Sequence, residues 1–315
     1  MAIVFPLDLR RIEVTGDDRA RYLEDVTSQA VAGAQPGTVH GALYLDVHGA
    51  PVAMFDVAVL PDRLALLTPA VLEQTVVDQL GGRTFLLDAR FAAMDHVAVA
   101  LRDDTDGSVA RAAGLHAREG RCHPGGDVLV LGRAGGVDVV GPAGAVDEAV
   151  GALVEAGARL GDATDAERWR IAAGQPAWGV EVVAPHLPEE LGLLPSHVHL
   201  AKGCYPGQEA VARMWMLGRP RRRLAKVAVT GDVAPGWQAG EGRQRATVTS
   251  VAPDHDLALA FVPGDAQVGA RYPAPDPDTA AEPGPASSVE VVALVGDTAF
   301  PPGADPSVTR RRDKR

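Results

Sequence analysis

The sequence predicts an α+β protein, with two mixed α/β portions followed by a small C-terminal β-barrel. Three observations carry this. Strand-length apolar runs and helix-length amphipathic runs alternate from residue 9 to about residue 173. Past residue 223 the helical periodicity stops, and short β-branched runs punctuated by Gly, Pro and Asp replace it. The chain has 315 residues, 46% hydrophobic but only 4% aromatic, enough for two or three cores filled by small and branched aliphatics.

Taken in order, residues 9–14 read as a strand, and Thr15-Gly16-Asp17-Asp18 supplies turn and capping chemistry for a helix over 19–26. Residues 42–45 and 52–60 form a hairpin around a turn at 46–50, and a strand at 64–68 follows. Pro69 fits the first turn of a helix reaching about residue 80. The second portion repeats the alternation with a strand at 97–102, a helix near 108–114, strands at 128–132 and 137–141, and a helix over 145–156. A helix over 165–173 carries Glu167, Arg168 and Arg170 on its polar side and ends at Gly174-Gln175-Pro176. Strands at 224–229, 245–251, 257–261 and 289–294 make the barrel. Residues 273–288, rich in Pro, Ala and acidic side chains, are expected to form a flexible excursion, and 297–315 a disordered basic tail. The domains expected are therefore 1–95, 96–218 and 219–296, with the tail beyond.

The net charge of −11 opposes direct binding to nucleic acid, whose phosphates need a concentrated cationic surface. Cys122 and Cys204 are too few for a disulfide framework, although one bridge between them stays open, and reduced thiols in a cytoplasm fit better. Residues 1–5 lack the basic and long apolar stretches of a secretion signal, and no apolar run has membrane-spanning length. A cytoplasmic protein with no membrane partner is the expectation. No cluster of Cys and His has metal-site spacing, and Cys122-His123 sits in a Gly-rich stretch read as a loop, so no metal site is predicted. His197 and His199 alternate at strand spacing, which places them on one pocket wall or on a polar surface.

The most informative stretch is Lys202-Gly203-Cys204-Tyr205-Pro206-Gly207-Gln208-Glu209. A thiol reacts as thiolate, and a neighbouring ammonium such as Lys202 favours that form at a partly exposed site. Gly203 and Gly207 permit close approach, and Pro206-Gly207 has the composition of a tight turn. A free cysteine is also commonly a small buried hydrophobe, so exposure of Cys204 decides between the two readings. This octet, continued by Ala210-Val211-Ala212-Arg213, resembles the Lys-Gly-Cys-Tyr-x-Gly-Gln-Glu signature of the YgfZ family of folate-binding proteins. Upstream, Arg170 to Pro176, Gly179-Val180-Glu181 and Pro188-Glu189-Glu190 resemble the pattern shared by that family and the glycine-cleavage T-proteins. The likeness covers about residues 5–270 and is strong only around the octet.

The resemblance implies a T-protein-like fold that holds tetrahydrofolate or a derivative, with Cys204 and Lys202 as the reactive pair. It further implies an accessory role in assembling or repairing iron–sulfur clusters, with client enzymes or assembly factors as partners and an indirect effect on tRNA modification through those clients. A folate-dependent aminomethyltransferase of T-protein type is the alternative. A folate needs a carboxylate for the paired donors of its pterin, an apolar wall and a cation for its glutamate tail. The resemblance matches Asp138, in Gly136-Val137-Asp138, to the T-protein pterin carboxylate. Gly203, Gly207, Gln208 and Glu209 come from the signature. Tyr205 and Trp215, with Met214 and Met216, can supply the wall or pack as ordinary core. Arg213, and Arg223 within the run Arg219 to Arg223, can supply the cation or lie on a solvated face. At the position of the T-protein Asp tied to aminomethyl chemistry an ungapped comparison places Thr75, which disfavours that transfer. Asp78 is one turn away and out of register, and Thr68 stands where that family has Asn.

Overall fold

The computed structural model describes residues 1–217, 220–274 and 287–297. They fall into two compact units. One comprises Met1–Leu45, Val52–Ala166 and Lys202–Pro206; the other comprises Asp46–Pro51, Glu167–Ala201 and the described residues from Gly207 to Asp297.

The first unit contains two sheets. The five-stranded sheet runs in the order Val39–Leu45, Pro51–Val59, Leu64–Pro69, Leu9–Thr15, Arg90–Met94. Its period-2 alternation is plain in Pro51–Val59, where Ala53, Phe55 and Val57 are buried and Met54 and Asp56 less so. The six-stranded sheet runs Arg159–Leu160, Ile3–Leu7, Val97–Arg102, Gly136–Gly141, Val128–Arg133, Cys122–Gly125, with only its first pair parallel. Strands Val97–Arg102 and Val128–Arg133 read as continuous apolar runs because each is covered on both faces. Ala58, Ala65 and Leu67 of the first sheet pack with Leu129, Leu131 and Val140 of the second. On the other face, helix Ala143–Glu155 buries Val146, Ala149 and Leu153, spaced at i, i+3 and i+7, in one cluster with Val99, Leu101, Val137 and Val139.

A chain of charges crosses this interior. Asp138, 2% exposed, accepts from Arg102 Nη2 and from Arg133 Nε, each at 2.6 Å, and Arg133 also pairs with Asp56 on the other sheet. Burial pushes the Asp138 carboxyl up, but the two guanidinium groups outweigh it and hold the carboxyl below the usual carboxylate range. Two arginines and two aspartates leave the cluster neutral, the condition for keeping charge inside.

In the second unit a six-stranded antiparallel sheet, nearly closed and barrel-like, runs Gln238–Ala239, Ala246–Val251, Leu257–Pro263, Arg222–Thr230, Ser288–Leu294, Arg271–Pro273. Ala225, Val227, Val248, Ala260 and Val262 fill it, as the aromatic-poor composition requires. Beside it, fully buried Glu181 accepts from Ala177 N (2.9 Å), Thr249 Oγ1 (2.6 Å) and Ser250 Oγ (2.7 Å) and pairs with Arg170 at 3.2 Å. Arg170 and Glu181, the ends of the upstream stretch, are thus tied to each other and to Thr249 and Ser250 of the barrel.

Several elements differ from the sequence expectation. The helix expected to run from Pro69 breaks into a 3-10 turn Ala70–Leu72, an α turn Glu73–Val76 and a π turn Val77–Gly81. Pro69 stands just before it, in the preceding strand, and Leu72, Val76 and Leu80 still reach the core. The stretch read as a Gly-rich loop at Cys122 is a strand, because its backbone pairs with Val128–Arg133. His197 and His199 are not at strand spacing, since Pro195 opens a short helix Leu194–His197 and His199 lies in the loop after it. Pro273 and Ser288, the ends of the expected excursion, pair with each other; its interior and the tail past Asp297 lie outside the described residues. Among the described residues no helix is long and apolar enough to cross a membrane.

Replacing Asp138 by Asn removes the charge that two buried arginines answer and is expected to cost about 3–5 kcal/mol in urea unfolding at pH 7. Because the native carboxyl is held low, wild type loses this advantage as pH falls through the carboxylate range, so the gap between the two proteins narrows below about pH 4.

Candidate functional site

The octet is held at two points. Lys202 Nζ donates to Thr27 O at 2.6 Å and to Glu24 O, the carbonyls that close helix Arg19–Val26. It also lies 4.6 Å from the centroid of the Tyr205 ring, a cation–π distance. Burial pulls the Lys202 ammonium down to about 8, against the raising influence of Glu24, Asp25 and Cys204. Burial likewise pushes the Tyr205 phenol up to about 12, so it is protonated at neutral pH.

The second point is Gly207. Its φ of +78° is left-handed, and a Cβ there would stand 2.4 Å from Asp46 O and 2.9 Å from Gly49 Cα. Gly49, at φ +86°, returns the constraint, since its own Cβ would meet the Ala210 Cβ at 2.8 Å. Two glycines facing each other therefore seat the start of helix Gln208–Leu217 on the turn at Asp46–Pro51. Gly203 is different: nothing lies within 4 Å of a Cβ built on it, so the fold does not require glycine there.

Between the two seats Cys204 is exposed, and it is a free thiol. Cys122, the other free cysteine, is buried; its Sγ lies 3.6 Å from Thr38 O, and burial pushes its thiol pKa up. Cys204 is thus not the small buried hydrophobe that the sequence left open. In the helix after the octet, Val211 and Trp215 are buried at i, i+4 spacing, Gln208 and Met214 are half-buried, and Glu209, Arg213 and Met216 are exposed.

The remaining folate candidates each have partners of their own within the protein. Asp138 is the centre of the buried ion cluster, its side chain 4% exposed, so a pterin edge reaches it only if its cover opens. Arg223 is buried in strand Arg222–Thr230 and pairs with Asp297 at 2.6 Å. Arg221 and Arg222 are exposed, and Arg219 lies outside the described residues. Thr68 is fully buried, with its hydroxyl on Met54 O, and Asp78 accepts from Gln74. Among the described residues no group of three or more His, Cys, Asp or Glu side chains converges on a common point. Sequence reasoning missed the receiving side of the site: Thr27, Ser28 and Gln29 are buried polar residues, and Asp46 to Gly49 looked like an ordinary hairpin turn.

No protein-family model matches the chain, and no curated protein matches it. Among solved structures it is similar to the glycine cleavage system aminomethyltransferase T from Bartonella henselae, at 19% identity and a TM-score of 0.77, over 95% of this chain and 88% of that one. The chain has a T-protein fold. A heterotetrameric sarcosine oxidase from Corynebacterium sp. U-96 also aligns, at 16% identity over 49% of this chain and 83% of that one, but with a TM-score of 0.33 it carries no argument.

Gly207→Ala is expected to destabilise by about 1–3 kcal/mol from the left-handed backbone alone, with the Asp46 clash added. Gly203→Ala is expected to stay within about 0.5 kcal/mol of wild type. Paired urea melts check both, and equal losses would show that the seat is not at Gly207.

Proposed function

We propose that this chain is a tetrahydrofolate-binding accessory protein that uses Cys204 as a reactive thiol in the assembly or repair of iron–sulfur clusters in client enzymes. The observation that carries the reading is the joining of two features: a T-protein fold, and an exposed thiol on a loop fastened at both ends. The folate and cluster roles rest on the resemblance of the octet to the YgfZ signature; the fold and the exposure support them. Gly203, open to close approach, with exposed Glu209 and Arg213, are the signature residues free to meet a ligand. Asp138 and Arg223 fit a folate less well, because each is buried and answered by an opposite charge. One thiol does not fill the four-ligand set that a cluster takes, so the cluster is cargo or client rather than a resident group.

A second reading, folate-dependent aminomethyl transfer, is favoured by the name of the structural neighbour itself. Thr75 in place of a carboxylate argues against it.

Calorimetric titration with tetrahydrofolate is expected to give saturable binding to wild type and to Cys204→Ala alike. In cells lacking the protein, Cys204→Ala is expected to leave cluster-dependent enzymes at the level of the deletion. Absence of binding to wild type rejects the folate role, and full rescue by Cys204→Ala rejects the thiol. Formation of methylene-tetrahydrofolate from an aminomethyl-lipoyl carrier would establish the second reading instead.

A further inference from the structure

The lysine beside Cys204 invites the view that its charge serves the sulfur, but its hydrogens point elsewhere. Helix Arg19–Val26 has no basic residue in its last turn, so its negative end lacks a local cation. At that end Thr27 N and Thr27 Oγ1 both donate to Leu23 O, at 3.0 and 2.7 Å. Lys202 Nζ donates to Glu24 O in the last turn and to Thr27 O of the capping residue. An ammonium has three donors. Two go to these carbonyls, and the Tyr205 ring takes the remaining side of the charge.

The receiving surface is rigid. Ser28 N donates to Leu43 O at 2.9 Å and Leu43 N to Ser28 Oγ at 2.9 Å, while Gln29 Nε2 donates to Gly41 O at 2.9 Å. Thr27, Ser28 and Gln29 are all buried. The Glu24 carboxylate accepts from Val31 N and Ala32 N, which holds the turn after the helix as well.

We propose that Lys202 is a positioning residue: it latches the Cys204 loop onto the C-terminal end of helix Arg19–Val26, and the thiol's place is set by that helix. The titratable groups acting on the amine are Glu24, Asp25 and Cys204. Loss of one proton leaves two donors for two carbonyls, so the latch persists in either protonation state. This role does not depend on folate and is read on the protein alone.

The test compares wild type, Lys202→Met, Lys202→Arg and Tyr205→Leu by amide hydrogen exchange and by iodoacetamide alkylation of Cys204 at pH 7.5. Lys202→Met is expected to raise exchange at Thr27 and Ser28, whose amides donate to Leu23 O and Leu43 O at the latched helix end, about tenfold or more while alkylation does not slow. Lys202→Arg, which keeps donors for both carbonyls, is expected to hold exchange within about threefold of wild type. Tyr205→Leu, which keeps the lysine and loses the ring, is expected to fall between them and reports on the latch if Lys202→Met does not fold. Unchanged exchange in Lys202→Met, exchange in Lys202→Arg as fast as in Lys202→Met, or a tenfold slower alkylation without loosening would each overturn the proposal.

Discussion

The interaction on which the site depends is the seating of Lys202 Nζ on the carbonyls of Glu24 and Thr27. A helix end leaves carbonyls without intrahelical partners, and its dipole favours a cation. This helix carries no basic residue of its own in the last turn, so a lysine nearly 180 positions later in the chain fills the place. Desolvating an ammonium is costly, and the downward pull on Lys202 records that cost; two carbonyls and an aromatic face offset it. Five residues on, Gly207 seats the chain again by backbone approach alone. Of the residues between the seats, Tyr205 turns inward and is buried, while Gly203, Cys204 and Pro206 are exposed.

The same economy of partners governs the rest of the polar interior. Asp138, Arg102, Arg133 and Asp56 answer one another across two sheets, and Glu181 gathers Arg170, Ser250, Thr249 and a backbone N–H. Each network is buried where an unanswered charge would not be tolerated. Asp138 and Arg223, which resemble ligand contacts by motif, are likewise buried and paired with opposite charges. Cys204, by contrast, is an exposed free thiol.

Much of the fold was legible because its cause is local. Period-2 runs, Pro and Gly punctuation and capping residues placed most strands within a residue or two, and helix Arg19–Val26 falls on the predicted span. Ile3–Leu7 was missed because its residues do not alternate and Pro6 interrupts them, and Cys122–Gly125 because its Pro and Gly hide a strand whose pairing is tertiary. The break after Pro69 was invisible for a similar reason: Leu72, Val76 and Leu80 keep helical spacing while the backbone hydrogen bonding changes around them. At the site the octet was readable as a motif, but its receptors were not. Two backbone carbonyls and a glycine on a distant turn carry no side-chain signature.

The account stands on Cys204 being presented to solvent while Cys122 is sealed. Titration of the native protein with an aromatic disulfide reagent, followed by peptide mapping, reads this directly. One equivalent is predicted to react promptly and map to Cys204, with the second appearing only after denaturant is added. A native protein with no prompt thiol, or one whose first label maps to Cys122, would contradict the account.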